Sequence, residues 1–124
     1  MINNMNEIIT HLNYFLTLEK DWDSYGSSRI TTESIEATKK IIKVLNEIGV
    51  SIFVAPVPDG GVCIEQTGTN TSLEYILNIN PDGESFTLSV WVDDKEVCEE
   101  LRIDMDDNNN WIYSLEKIFY GNIF

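Results

Sequence analysis

From Val50 to Met105 the chain repeats one device: a short segment of alternating apolar and polar residues, then a cluster of turn formers. Successive side chains of a strand point to opposite faces, so segments of this kind fold as half-buried strands. The segments are 50–55, 62–67, 72–79, 84–92 and 95–105, with breaks such as Asp59-Gly60-Gly61 and Asn80-Pro81-Asp82-Gly83 between them. Parallel neighbours need crossovers longer than these breaks, so the spacing predicts an antiparallel meander of about five strands. The clearest segment is 84–92, where Phe86, Leu88, Val90 and Val92 alternate with Ser85, Thr87, Ser89 and Trp91. Leu73, Tyr75, Leu77 and Ile79 give the preceding strand the same one-sided apolar face, with Glu74 and Asn78 opposite.

The period differs on either side of this block. Met5, Ile8, Ile9, Leu12, Phe15 and Leu16 recur at helical spacing and predict a helix over 4–19. A second stripe, Ile35, Ile41, Ile42, Leu45 and Ile48, starts from Thr31 as N-cap and stops at Gly49. Trp111, Leu115, Ile118 and Phe119 predict a third helix, capped by Asn109 or Asn110. A sheet that is apolar on one side has to bury that side, and the helices are what this chain offers. The reading is a single α+β domain over 1–124, an antiparallel meander with helices packed on one face.

Charge narrows the function. The formal net charge is −13, and it is uneven: residues 1–62 hold eight acids and five bases, residues 63–124 thirteen acids and three bases. A field of this sign repels nucleic-acid phosphates and anionic membrane surfaces and attracts basic proteins. The sequence has no apolar run long enough to span a bilayer and no leader-like start, and Cys63 and Cys98 lack the close spacing of a redox or zinc pair, so a cytoplasmic setting is expected.

The segment 93–107, DDKEVCEELRIDMDD, holds eight of those acids. Read as a strand, it places Val97, Leu101, Ile103 and Met105 on the core side and Glu96, Glu100, Asp104 and Asp106 on the other. Together with Glu65, Glu74, Thr87, Ser89 and the apolar Ile76 and Trp91, these form an acidic outward sheet face. The candidate partner-binding residues are Glu74, Trp91, Glu96, Glu100, Asp104 and Asp106, with Trp91 as an anchor. The alternative is that the last helix covers Trp91 and the acids are only a solvated face.

Chemical motifs are few. Asp21 to Gly26 begins like a calcium loop, but Tyr25 stands at its fifth position and Thr32 at its twelfth, where a bidentate carboxylate is needed. His11, the one histidine, lies in the first helix without a nearby Ser or Cys in sequence, and no glycine-rich phosphate loop, HExxH or CxxC occurs. The expectation is no catalytic group, no metal and no cofactor.

Trp22-Asp23-Ser24-Tyr25-Gly26, then Pro56-Val57-Pro58-Asp59-Gly60-Gly61-Val62 with Glu65, resembles a pattern in small uncharacterised bacterial and phage proteins: W-D-x-Y-G, one helix, P-x-P-D-G-G and a strand ending in Glu-Trp. Gln66 stands where that pattern has Trp. The resemblance covers about the first half of the chain and implies a shared architecture and a mobile-element or defence-related setting. The glycines supply the positive dihedral angles of a tight hairpin, while Trp22 and Tyr25 clamp the loop onto the helices and Asp23 caps backbone donors. Trp22, Asp23 and Tyr25 are also the candidates for a recognition loop.

The first expectation is a non-enzymatic, acidic protein-binding module, an inhibitor, antitoxin or anti-defence protein that occupies the basic, nucleic-acid-binding surface of a partner. The second is a self-assembling structural module, a homo-oligomer joined through Ile123 and Phe124. The third is a small hydrolase using His11 or an acidic residue.

Overall fold

The computed structural model describes residues 5–66, 73–106 and 108–120. The elements run α1 (Met5–Phe15), α2 (Thr32–Ile48), β1 (Ile52–Pro56), β2 (Val62–Gln66), β3 (Leu73–Ile79), β4 (Ser85–Val92), β5 (Lys95–Asp104) and α3 (Asn110–Tyr120). Among the described residues five strands form one antiparallel sheet in the order β1-β2-β3-β4-β5, the meander predicted by the short breaks.

Register assigns the faces. Val54 pairs with Ile64, Ile64 with Leu77, Leu77 with Leu88 and Leu88 with Leu101; two residues further along each strand, Val62, Ile79, Phe86 and Ile103 line up in the same way. Paired residues share a face, so these rows make one continuous apolar surface. All but Leu101 are buried, together with Ile8, Leu12 and Phe15 of α1, Ile35, Ile41, Ile42 and Leu45 of α2, and Trp111, Leu115 and Ile118 of α3. All three helices therefore pack on the same side. Each such aliphatic or aromatic side chain removed from water contributes about 1.5–3 kcal/mol, which is the main force holding the layers together.

α1 is shorter than its apolar stripe. After Phe15 the backbone tightens into i→i−3 bonds, Leu16 N–H to Asn13 O (3.2 Å), Thr17 N–H to Tyr14 O (2.9 Å) and Leu18 N–H to Phe15 O (3.1 Å), which end the helix before Glu19. α2 has the caps its sequence promised. Thr31 Oγ1 accepts from Ser34 N–H at 3.0 Å, and Gly49, at φ +93°, turns the chain out with its N–H on the carbonyls of Leu45 and Asn46.

Three loops meet at the start of α2. Ser28 N–H donates to Pro58 O, Thr31 N–H to Gly60 O and Thr31 Oγ1 to Pro81 O. The turn after β3 lies so close that a Cβ on Gly83 would stand 2.4 Å from Glu33 O. The two segments that carry the sequence pattern are thus neighbours in space, joined by backbone hydrogen bonds. Within the β1–β2 hairpin the two glycines have different tasks. Gly60 takes the positive φ (+102°), whereas Gly61 has no such φ and is needed for space, since its Cβ would meet Ile79 O at 2.1 Å.

Candidate functional site

The face of the sheet away from the helices carries Phe53, Ala55, Cys63, Glu65, Glu74, Ile76, Asn78, Thr87, Ser89, Trp91, Glu96, Arg102 and Asp104, as the register dictates. α3 does not cover Trp91. Its rings contact Tyr75 (Phe119, 4.4 Å between centroids) and Phe86 (Trp111, 6.5 Å, edge-on), and both of those residues belong to the helix-covered face. Trp91 is left partly exposed on the open side.

Trp91 pairs with Glu74 on β3 and with Glu96 on β5, so a carboxylate stands on each side of the indole in a single lateral row. With strands about 4.8 Å apart, the two acidic residues are spaced by roughly 10 Å. Both are exposed, and among the described residues neither carboxylate has a hydrogen bond or an ion pair. The next row runs Phe53, Glu65, Ile76, Ser89. Phe53 is 46% exposed, which makes it a third apolar member of this face beside Trp91 and Ile76. The sequence hid it, because Ile52, Phe53 and Val54 are all apolar and only the pairing of Phe53 with Glu65 shows which way it points.

β5 departs from simple alternation. Its register against β4 shifts twice, once between Leu88 and Val90 and again between Val90 and Trp91, so that Val90 faces Cys98 and not Val97. Extra residues at such bulges change which side chains share a face. Glu100 sits at one of them with φ +45°, its N–H donating to Ser89 Oγ at 3.2 Å, outside the regular acidic column expected for it. Asp104 remains in the sheet opposite Ser85, but Arg102 Nε lies 3.0 Å from its Oδ1, so part of its charge is answered within the chain. Asp106 lies beyond the strand, exposed in the connection to α3, and is not part of the sheet face. The six expected residues reduce to a centre of Glu74, Trp91 and Glu96, with Asp104 at one edge.

The loop 21–28 is built from its own hydrogen bonds. Asp23 Oδ1 accepts from the backbone N–H groups of Tyr25 (2.9 Å) and Ser27 (3.3 Å), Asp21 Oδ1 from Gly26 N–H (2.6 Å), and Trp22 Nε1–H donates to Ser28 O (3.0 Å). The Tyr25 N–H is the main reason that the Asp23 carboxyl is held below its ordinary value, with Ser27 adding to it. Trp22 packs against the core as expected. Tyr25 does not: it is 91% exposed and clamps nothing, because left-handed residues on both sides of it, Ser24 (φ +67°) and Gly26 (φ +85°), turn it away from the helices.

Other chemistry-bearing groups stand apart. Cys63 lies on the open face, its Sγ–H directed at Glu65 Oε1 (3.9 Å); burial first, and the neighbouring carboxylate second, push the thiol up to about 11. His11 is exposed on α1. Among the described residues no three His, Cys, Asp or Glu side chains gather as a metal site, and no helix is long and apolar enough to cross a membrane. Ile123 and Phe124 lie outside the described residues.

No family model, curated protein or solved structure matches the chain at a significant level. The fold and its exposed face define an α+β domain with one open, acidic sheet surface, and the functional reading has to come from that surface.

Proposed function

We propose that this protein is a non-enzymatic binding module whose open sheet face occupies a basic surface of a partner protein, of the kind that otherwise holds nucleic acid. In that role it acts as an inhibitor, antitoxin or anti-defence protein, and the setting we propose for it is the cytoplasm. The observation that carries the reading is the row Glu74, Trp91, Glu96 on a sheet face that none of the three described helices covers, with neither carboxylate paired among the described residues.

The physical logic is twofold. A partly exposed indole offers a large apolar contact at low conformational cost, and interfaces concentrate their binding energy on such residues. Carboxylates around it favour a cationic approach and raise the encounter rate, while the −10 charge of the second half excludes phosphate-rich competitors. The resemblance of the 22–26 and 56–62 segments to bacterial and phage proteins agrees with a mobile-element or defence setting.

The test is affinity capture from the native host with the intact protein and with a Glu74→Lys, Glu96→Lys double variant, followed by mass spectrometry. Both positions are exposed, so the double variant keeps the fold. The reading predicts one dominant basic protein retained by the first and lost by the second. Equal retention by both would place the interface elsewhere.

A further inference from the structure

A second surface lies at the opposite side of the sheet edge. Between β5 and α3 runs a groove of about 430 Å³ lined by Leu101, Ile103, Trp111, Ser114, Lys117 and Ile118, with Arg102 and Asp104 along its strand side. Leu101 belongs to the helix-covered face by its pairing with Leu88, yet it is 46% exposed, because this groove is open beside it.

Among the described residues no strand pairs with the outer side of β5, so the strand side of the groove is a sheet edge. Met105 N–H donates to Glu84 O, and bonding alternates along an antiparallel pair, so Ile103 and Leu101 direct their backbone groups to β4. Arg102 and Asp104 then direct theirs outward, into the groove. The two halves of this edge differ. Residues 95–100 are blunted by two register shifts, a left-handed Glu100 and four charged side chains, devices that discourage strand pairing. Residues 101–104 keep an unbroken register with β4 and have an apolar wall beside them. Charge also sets this place apart. In a chain of net charge −13, Arg102 and Asp104 lie on the open face by their pairing and answer each other, which leaves Lys117 as the charge on the helix side of the groove. Arg102 is engaged by Asp104, while Lys117 is held 5.3 Å over the Tyr113 ring at the rim.

We propose that residues 101–104 of β5 accept an extended peptide segment of a partner protein as an added strand, with apolar side chains entering the groove and an acidic residue meeting Lys117. Main-chain bonds to Arg102 and Asp104 supply affinity, and the groove, which receives every second side chain, supplies selectivity. This surface is separate from the Glu74–Trp91–Glu96 row, and the proposal stands whether or not that row binds a basic protein.

The experiment is selection of a displayed library of random seven-residue peptides on the full chain, followed by affinity measurements and amide exchange. The proposal predicts enriched peptides with alternating apolar residues and one acid, and slowed exchange of the Arg102 and Asp104 amides in the complex. Ser114→Trp, which fills the groove, and Leu101→Lys, which charges its wall, should each weaken binding by about tenfold or more. Glu74→Lys with Glu96→Lys should leave it unchanged. Failure to enrich any sequence, or binding that survives Ser114→Trp and leaves both amides unprotected, would overturn the proposal.

Discussion

Replacing Gly61 by Ala tests how tightly the β1–β2 hairpin is locked into the sheet. The added Cβ would stand 2.1 Å from Ile79 O, a backbone atom, and Gly61 adjoins the buried pair Val62 and Ile79. Relief requires the two chains to separate by about 1 Å or more. Forcing an extra methyl group into a packed site costs about 1–3 kcal/mol, and disturbing a backbone hydrogen bond there adds about 1. The unfolded chain, stiffened by Ala, returns about 0.4–1 kcal/mol. The net expectation is a loss of about 2–3 kcal/mol. Gly49→Ala is the control, since Gly49 has φ +93° and nothing within 4 Å of its Cβ, so it incurs only the left-handed backbone cost of about 1 kcal/mol. Urea unfolding followed by circular dichroism reads both, and at a slope of about 1.5 kcal/mol per molar the Gly61→Ala midpoint should fall by roughly 1.3–2 M. If Gly61→Ala cost no more than Gly49→Ala, the hairpin would not be locked against β3 and the account of the Asp59-Gly60-Gly61 turn would be wrong.

Thr31→Ala removes both the α2 cap and the bond to Pro81 O, so it should lower stability by about 1–2 kcal/mol in the same urea assay, while Thr31→Ser retains most of it. The Cys63 thiol, pushed up to about 11, keeps its proton in the folded state when the unfolded thiol, near 9, has lost it. Stability should therefore fall between pH 9 and 11, less steeply in Cys63→Ala, and thiol reagents should label Cys63 of the native protein slowly at pH 8, as read by peptide mass spectrometry. Tyr75, whose phenol burial also raises, has the same sign, so some slope should persist in that variant. Tyr25→Ala should change stability by less than about 0.5 kcal/mol, because the side chain is exposed. Asp23→Ala should speed amide exchange at Tyr25 and Ser27, which lose their acceptor.

The strands were legible because turn formers separate them and because β3 and β4 alternate cleanly; the observed bounds fall within two residues of those read from periodicity. The interior of β5 was not, since a bulge inserts a residue without any compositional mark and so took Glu100 out of the outward column that alternation gave it. Phe53 was illegible for the opposite reason, an unbroken apolar run that gives no face. The site was half legible. Glu74, Trp91 and Glu96 follow from alternation plus register, whereas the removal of Asp106 from the sheet, the Arg102–Asp104 pair and the outward turn of Tyr25 depend on three-dimensional contacts and left-handed residues. Trp22 and Tyr25 are two aromatics of one loop with opposite fates. The indole N–H finds Ser28 O and the ring finds the core, while Tyr25 is flanked by left-handed residues that turn it out.

The central claim is that the open sheet face, and not the helical face, meets the partner. Carbodiimide labelling of carboxylates in the free protein and in its captured complex, read by mass spectrometry, tests it directly. The account predicts that Glu74 and Glu96 become protected in the complex while Glu33, Glu36 and Glu47 on α2 label as before. Protection of the α2 carboxylates with unchanged labelling of Glu74 and Glu96 would contradict it.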